Sequence, residues 1–270
     1  KIKLVAPKSK ENIFYSLIRE EKGIWRITVQ GDLEGFQYTY LVCVNLVWRE
    51  AVDPYAIASS INSESAVIVD KERINVPKVS MLPFNDATDA IIYELHVRDF
   101  SSHPKSGMAH KGKYAAFTED PLEVSEIGIT GMPYIQSLGV THIELLPLND
   151  FGGVDEAEPD KDYNWGYNPL LFNVPEGSYA LDPNDPYSRI LELKNLINTL
   201  HHKGLRIIMD VVYNHVYIRE DSSFEKIVPG YYFRHDEHGM PSNGTGVGND
   251  IASERKMVRK FILDSIRYWL

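Results

Sequence analysis

Leu205-Arg206-Ile207-Ile208-Met209-Asp210-Val211-Val212-Tyr213-Asn214-His215 is the stretch that decides the fold. Entered after Gly204, its short β-branched run reads as a central strand covered on both faces, as in parallel sheets. Asp210 interrupts that run, and a carboxylate in such a strand is costly to desolvate unless a cation or several donors meet it. Asn214 and His215 follow at the strand's carboxyl end, the rim where α/β barrels and open α/β sheets build their sites. The plainer reading makes Asp210 a loop cap and His215 an ordinary turn histidine.

Moving outward, a helix is predicted over Pro186 to Lys203, with Ile190, Leu193, Leu196, Ile197 and Leu200 on one stripe and Gly204 as its stop. Earlier strands are predicted at Ile91 to Val97 and Val140 to Leu146, with a helix over Pro133 to Leu138 between them. This alternation argues for right-handed βα units and a parallel sheet. Two long loops interrupt it, 150–185 and 216–251. The first carries Tyr163-Asn164-Trp165-Gly166-Tyr167-Asn168-Pro169, too aromatic for disorder; aromatic faces stack on sugars and Asn amides read hydroxyls. The second holds Asn243-Gly244-Thr245-Gly246, which lacks the Lys-Ser/Thr and the preceding strand of a phosphate loop. Ser253 to Leu270 reads as an amphipathic helix capped by Ser253, with Met257, Phe261, Ile262, Ser265 and Trp269 on one face.

The front of the chain has the short period of strands: Ile13 to Ile18, Trp25 to Val29, Tyr38 to Val47 and Ala66 to Val69. Tyr38, Tyr40, Val42, Val44 and Leu46 fall on one face, as in a small antiparallel β-sandwich with one buried side. Trp25, Trp48, Tyr38 and Tyr40 are either sugar platforms or, the favoured reading because strand aromatics usually pack inward, the core of that sandwich. Asn75 to Asp89 reads as a linker, so the division expected is 1–85 for the sandwich module with the linker at its end, and 86–270 for the α/β part.

Composition narrows the function. Hydrophobic residues at 43% of 270 support sizeable cores, and 28 basic against 38 acidic residues, a net charge of −10, give no footprint for nucleic acid or an anionic membrane. One cysteine, Cys43, excludes an internal disulfide framework. No apolar run reaches transmembrane length and no signal-peptide core opens the chain, so a cytoplasmic location is expected; secretion stays open because residue 1 is not Met.

Tyr163 to Pro169, Asp210 to His215 and Gly248-Asn249-Asp250-Ile251-Ala252-Ser253-Glu254-Arg255 together resemble the type I pullulanases, debranching enzymes of the α-amylase superfamily (glycoside hydrolase family 13). Gly23-Ile24-Trp25, Gly31-Asp32-Leu33, Tyr38-Thr39-Tyr40 and Val52-Asp53-Pro54-Tyr55-Ala56 are similar to the immunoglobulin-like carbohydrate-binding module that precedes the barrel in these enzymes. The resemblance covers residues 11 to 270 and implies the first three βα units of a TIM (β/α)8 barrel, incomplete in this chain. It implies that Tyr167 stacks under the sugar at the cleavage point, with Trp165 and Asn168 beside it as substrate-binding residues. Asp210 and His215 would hold that sugar and the site's arginine, and Asn214 would brace the loop after the third strand. In some superfamily members Asn214's counterpart binds calcium; no metal site is assigned here, no cofactor is required, and calcium is allowed.

Retaining glycoside cleavage needs two carboxyl groups roughly 5 Å apart. Asp210 finds no such partner at the other two predicted strand ends, where Asp99 and Asp150 suit positioning better. The resemblance places the nucleophile and the acid/base beyond Leu270, so none of the catalytic carboxylates is expected here. The expectation is about the first half of an enzyme that cleaves α-1,6-glucosidic branches in pullulan and related branched α-glucans, its partner being the rest of the same barrel, either a C-terminal portion of a longer polypeptide or a second chain. Isoamylase or branching chemistry, or a non-catalytic glucan-binding fragment, are the alternatives; a catalytic metal site ranks below both. Asp210, lacking its arginine, is expected to be a buried unpaired carboxylate that destabilises the segment.

Overall fold

The structure is a computed structural model and describes residues 1–119 and 127–270. Its first part is a five-stranded antiparallel sheet built from β1 (Ile2–Val5), β2 (Asn12–Tyr15), β5 (Gln37–Val44), β6 (Val47–Ala51) and β7 (Ala66–Val67), in the order β2-β1-β5-β6 with β7 also on β5. Between β2 and β5 in the chain, β3 (Ile18–Arg19) and β4 (Trp25–Arg26) form a separate two-stranded ribbon. β1 is central to the sheet although its four residues show too little alternation to be recognised; Leu4, at 2% exposure, is its anchor.

Two expectations fail here for local reasons. The strand predicted through Val47 turns back at Asn45 and Leu46, whose φ values of +51° and +63° make a two-residue hairpin turn between Val44 and its partner Val47. Leu46 therefore sits at the tip, 95% exposed, and not on the inner face. The aromatic residues also divide. Tyr38 and Tyr40 turn inward and converge on Asp53, their hydroxyls 2.9 and 3.5 Å from its Oδ2. Trp25 and Trp48 are more than half exposed, because one lies on the detached ribbon and the other faces away from Leu4 and Ala51.

Within 75–89, residues 77–79 are tied to the later helix, with Val79 N–H donating to Asn198 Oδ1 at 3.1 Å and Asn198 Nδ2 to the Pro77 carbonyl at 2.9 Å. Three parallel strands follow, β8 (Ile92–Leu95), β9 (His142–Leu145) and, after an intervening hairpin pair, β12 (Arg206–Met209), in the order β12-β9-β8 with Ile92, His142 and Arg206 in one row. The third strand is half-buried and lies at an edge among the described residues, not covered on both faces. α1 (Gly131–Ser137) precedes β9, and α2 (Pro186–His202) precedes β12. Asp185 caps α2 through the Tyr187 N–H, Pro186 occupies its first turn, and Gly204 at φ +78° ends it. Leu193, Leu196 and Leu200 of α2 then pack on Ile143 and Leu145 of β9 to make the main core.

The two long loops are more ordered than predicted. Within 150–185 lie most of β10 (Asn149–Phe151) and all of β11 (Pro169–Pro175), paired antiparallel because the apolar run Leu171, Phe172, Val174 has a core to enter. Within 216–251 lies α3 (Ser223–Ile227), capped by Ser222. α4 runs from Lys256 to Trp269 and buries Val258, Phe261 and Ser265; Met257 is half exposed, and Arg255 rather than Ser253 is the cap residue. Among the described residues no helix is long and apolar enough to cross a membrane.

Candidate functional site

The carboxyl ends of β8, β9 and β12 form a rim, and 163–169 runs across it. Asp210 lies one residue past β12, its N–H still donating to Leu145 O at 3.1 Å. Its carboxylate is half-buried and accepts the Tyr167 hydroxyl, 2.6 Å from Oδ2, so it is neither deeply buried nor unpaired as expected. That hydrogen bond is the first cause, before burial, of the raised pKa of Tyr167, which therefore stays protonated as a donor; the charges of Asp210, Glu94 and Glu144 add to it. Glu94 and Glu144 are row partners on β8 and β9 that no spacing rule singled out.

His215, 7% exposed, places Nε2 2.8 Å from the main-chain oxygen of Tyr167 and Nδ1 3.2 Å from Asn214 Oδ1. Asn214 also accepts Ile251 N–H on its carbonyl at 3.0 Å, which ties the start of the second loop to its end. Asn249 completes that tie: its amide accepts Val216 N–H at 3.0 Å and donates to Val216 O at 2.9 Å. The residue lies in a stretch whose resemblance was noted but which carried no assigned role.

The aromatic segment is fixed by its own polar residues. Asn164 accepts Gly166 N–H at 2.8 Å and donates to Gly152 O at 3.1 Å, and Asn168 donates to the same carbonyl at 3.3 Å. Gly166 has φ +94°, and a Cβ there would stand 2.5 Å from Pro147 O. Only glycine lets the segment lie so close to the end of β9. The rings of Tyr163, Trp165 and Tyr167 stay exposed, and the Tyr163 hydroxyl donates to Asp99 Oδ2 at 2.6 Å. The rim thus offers aromatic faces beside a carboxylate and a histidine, a combination suited to a neutral polyhydroxylated ligand.

The glycines of 243–246 enclose an internal carboxylate. Burial works against the charge on Asp250, yet hydrogen bonds from Thr245, Ser242 and Gly244 hold its carboxyl well below the usual range.

Asp150 does not stand at the rim. It belongs to a buried cluster with Glu156 and Glu176, whose ligand atoms lie within 4.8 Å of one another. Arg189, fully buried on α2, pairs with Glu156 at 2.8 Å and donates to Ser59 Oγ at 3.2 Å. The front part of the chain enters the same cluster: Ser63 Oγ donates to Asp150 Oδ1 at 2.6 Å, and Asn62 N–H to Glu156 Oε2 at 2.8 Å. Gly177 is obligatory beside it, since a Cβ would meet Arg189 and Glu156 atoms at 2.3 Å. Burial first, then the charges of Glu176 and Glu156, pushes Asp150 well above the ordinary range; burial first, then Glu156, pushes Glu176 to about 7.

The spacing of these three carboxylates would suit a metal ion, but Arg189 already supplies the cation and main-chain N–H groups of Leu171, Phe151 and Ser178 take further oxygens. Calcium does not fit there. Among the described residues this is the only such group of three or more His, Cys, Asp and Glu.

The cluster makes stability depend on pH. Folded Glu176 keeps its proton up to about pH 7, whereas its ordinary value is 4.5, so in that window the native state binds more protons than the unfolded one. Stability therefore falls as pH rises from 4.5 to about 7 through this group. Glu176→Gln should flatten that part of the slope in urea midpoints taken across the window; identical slopes for both proteins would contradict it.

No family model matches the chain. Over its whole length it is 55% identical to a pullulanase of Bacillus subtilis (strain 168), of which it spans 37%. It is 27% identical, over 94% of its length, to rice isoamylase 1, of which it spans 34%. Superposed on the crystal structure of a pullulanase from Anoxybacillus sp. LM18-11 complexed with maltotetraose, it matches with a TM-score of 0.97 at 57% identity, over 100% of this chain and 39% of that one. The pullulanase type I of Bacillus subtilis str. 168 complexed with maltose matches with a TM-score of 0.95 at 55% identity, over 100% of this chain and 38% of that one.

Proposed function

Because the chain belongs to the type I pullulanases, we propose that it forms the sugar-positioning part of an enzyme that hydrolyses α-1,6-glucosidic branch linkages in pullulan and related branched α-glucans. The observation that carries this is the meeting of two distant segments at one rim, Tyr167 bonded to Asp210 by its side chain and to His215 by its carbonyl. In this reading Tyr167 presents its ring under the sugar at the cleaved bond, with Trp165 and Asn168 alongside. Asp210 accepts a sugar hydroxyl and His215 supports the platform. Asn214 braces the loop that carries His215.

The finer architecture belongs to the same proposal. β8, β9 and β12 are the first three strands of a (β/α)8 barrel within 86–270, and the antiparallel sheet with its ribbon is an immunoglobulin-like sandwich module within 1–85. The rest of the barrel is the partner that supplies the nucleophile and the acid/base, two carboxyl groups roughly 5 Å apart as retention requires. No cofactor enters the reaction. The setting is cytoplasmic, where the exposed thiol of Cys43 stays reduced. Rice isoamylase 1 is a more distant relative, so isoamylase-like chemistry ranks second.

Reducing ends released from pullulan test the proposal. The intact protein carrying this chain should cut pullulan to short α-glucans and leave linear amylose untouched. Cleavage of amylose with pullulan intact would overturn it, and binding of maltotetraose without any cleavage would make the protein a glucan-binding one.

A further inference from the structure

We propose that His96 is a positioning residue that holds the aromatic segment at the end opposite His215, so that the segment is clamped between the first and third parallel strands. The proposal rests on the functional reading above for its kinetic consequence but not for its geometry.

His96 follows β8 directly and is 5% exposed. Its Nε2 lies 3.0 Å from the main-chain oxygen of Asn164 and 2.9 Å from the Tyr179 hydroxyl, and its Nδ1 is 3.4 Å from the Asp99 N–H. A carbonyl can only accept and an N–H can only donate, so the ring is neutral with its proton on Nε2. Burial, the first cause, lowers its pKa and keeps it so, outweighing the nearby Asp99 carboxylate. The groups facing the ring are Asp99, Arg98, Tyr163 and Tyr179.

His215 makes the same type of bond at the other end, from Nε2 to the main-chain oxygen of Tyr167. Two histidines, one after β8 and one after β12, therefore each hold one carbonyl of 164–167, and Gly166 rests on Pro147 beyond β9 between them. Asp99 adds a side-chain tie at the His96 end through the Tyr163 hydroxyl. All three strand ends thus set the height of the segment, and with it the place of the Tyr167 ring. Releasing one end lets the platform tilt while leaving Tyr167 itself unchanged.

The experiment compares His96→Leu, which fills the space without a donor, with His96→Gln, whose amide nitrogen can replace Nε2–H. On pullulan, His96→Leu in the intact protein should lower kcat/KM about tenfold, the size of one lost buried hydrogen bond, and His96→Gln should restore most of it. In a Tyr167→Ala background the loss caused by His96→Leu should shrink to about twofold or less, because the ring it chiefly positions is gone and only Trp165 and Asn168 remain to be placed. Equal losses in both backgrounds, or none in either, would overturn the proposal. Amide exchange supplies an arm that needs no activity: the Gly166 N–H, bonded to Asn164 Oδ1, should exchange about tenfold faster in His96→Leu than in the wild type, relative to the amides of β9. Unchanged exchange at Gly166 sinks the clamp; a wild type that leaves pullulan intact while the exchange result holds sinks only the functional reading.

Discussion

Arg189→Met is expected to destabilise the protein by about 3–5 kcal/mol, the usual consequence of removing one partner from a buried ion pair. Arg189 is fully buried and is the guanidinium that meets Glu156, while Asp150 and Glu176 lie alongside. Methionine fills comparable volume but supplies no donor, so Glu156 would lose its cation and Ser59 Oγ one of its two partners, Ser63 Oγ remaining. Protonation can relieve part of the cost for Asp150 and Glu176, whose pKa values are already raised, which is why the loss should shrink at low pH. The damage should concentrate where the front sheet docks, since Ser59, Asn62 and Ser63 all reach into this cluster. Urea midpoints and limited proteolysis at 59–63 read both effects. Replacing Glu156 by Gln in the same protein should recover much of the midpoint, and an unchanged midpoint in Arg189→Met alone would mean the guanidinium is not the cluster's essential cation.

Tyr167→Ala and His215→Ala should each lower turnover on pullulan by about 100-fold while the fold survives, if the rim positions the sugar as proposed. The ring of Tyr167 is partly exposed, so its removal opens no large cavity in the core. What is lost is the stacking face and the hydroxyl that orients Asp210 at 2.6 Å. Tyr167→Phe separates the two: it keeps the face, loses the hydrogen bond, and should cost about tenfold. In His215→Ala the carbonyl of Tyr167 loses its partner, so that effect should be strongly non-additive with Tyr167→Ala. Turnover within twofold of wild type in either alanine variant would remove these residues from the site.

Much of this rim was legible because its parts are local. The β-branched run interrupted by Asp210, the stripe on α2 and the aromatic heptad each announce themselves within a dozen residues; the helix forms as expected, the strand forms but ends at Met209, and the heptad crosses the rim. The buried cluster was not legible, because Ser59, Ser63, Asp150, Glu156, Glu176 and Arg189 come from separated segments and share no period. One hint existed: Arg189 lies beside Ile190 on a helix whose neighbouring positions are core, and a charge there demands a partner. His96 was hidden for the opposite reason, since it follows Leu95 without a break and looked like more strand. Asp210 was over-read as buried because a carboxylate among Ile, Met and Val suggests a strand interior, whereas the ladder lets it out one residue earlier.

The close seat of Gly166 on Pro147 makes the geometry of the rim depend on an atom that is not there. A methyl group at 166 would lift the segment away from β9 by the overlap it creates, and neither histidine could then reach its carbonyl without the other letting go. The segment therefore behaves as a bridge of fixed span resting on a central pier. Its sequence can vary in the rings it displays far more freely than in the residue that touches the pier, so altered sugar preference should be engineered at 165, with 166 left alone.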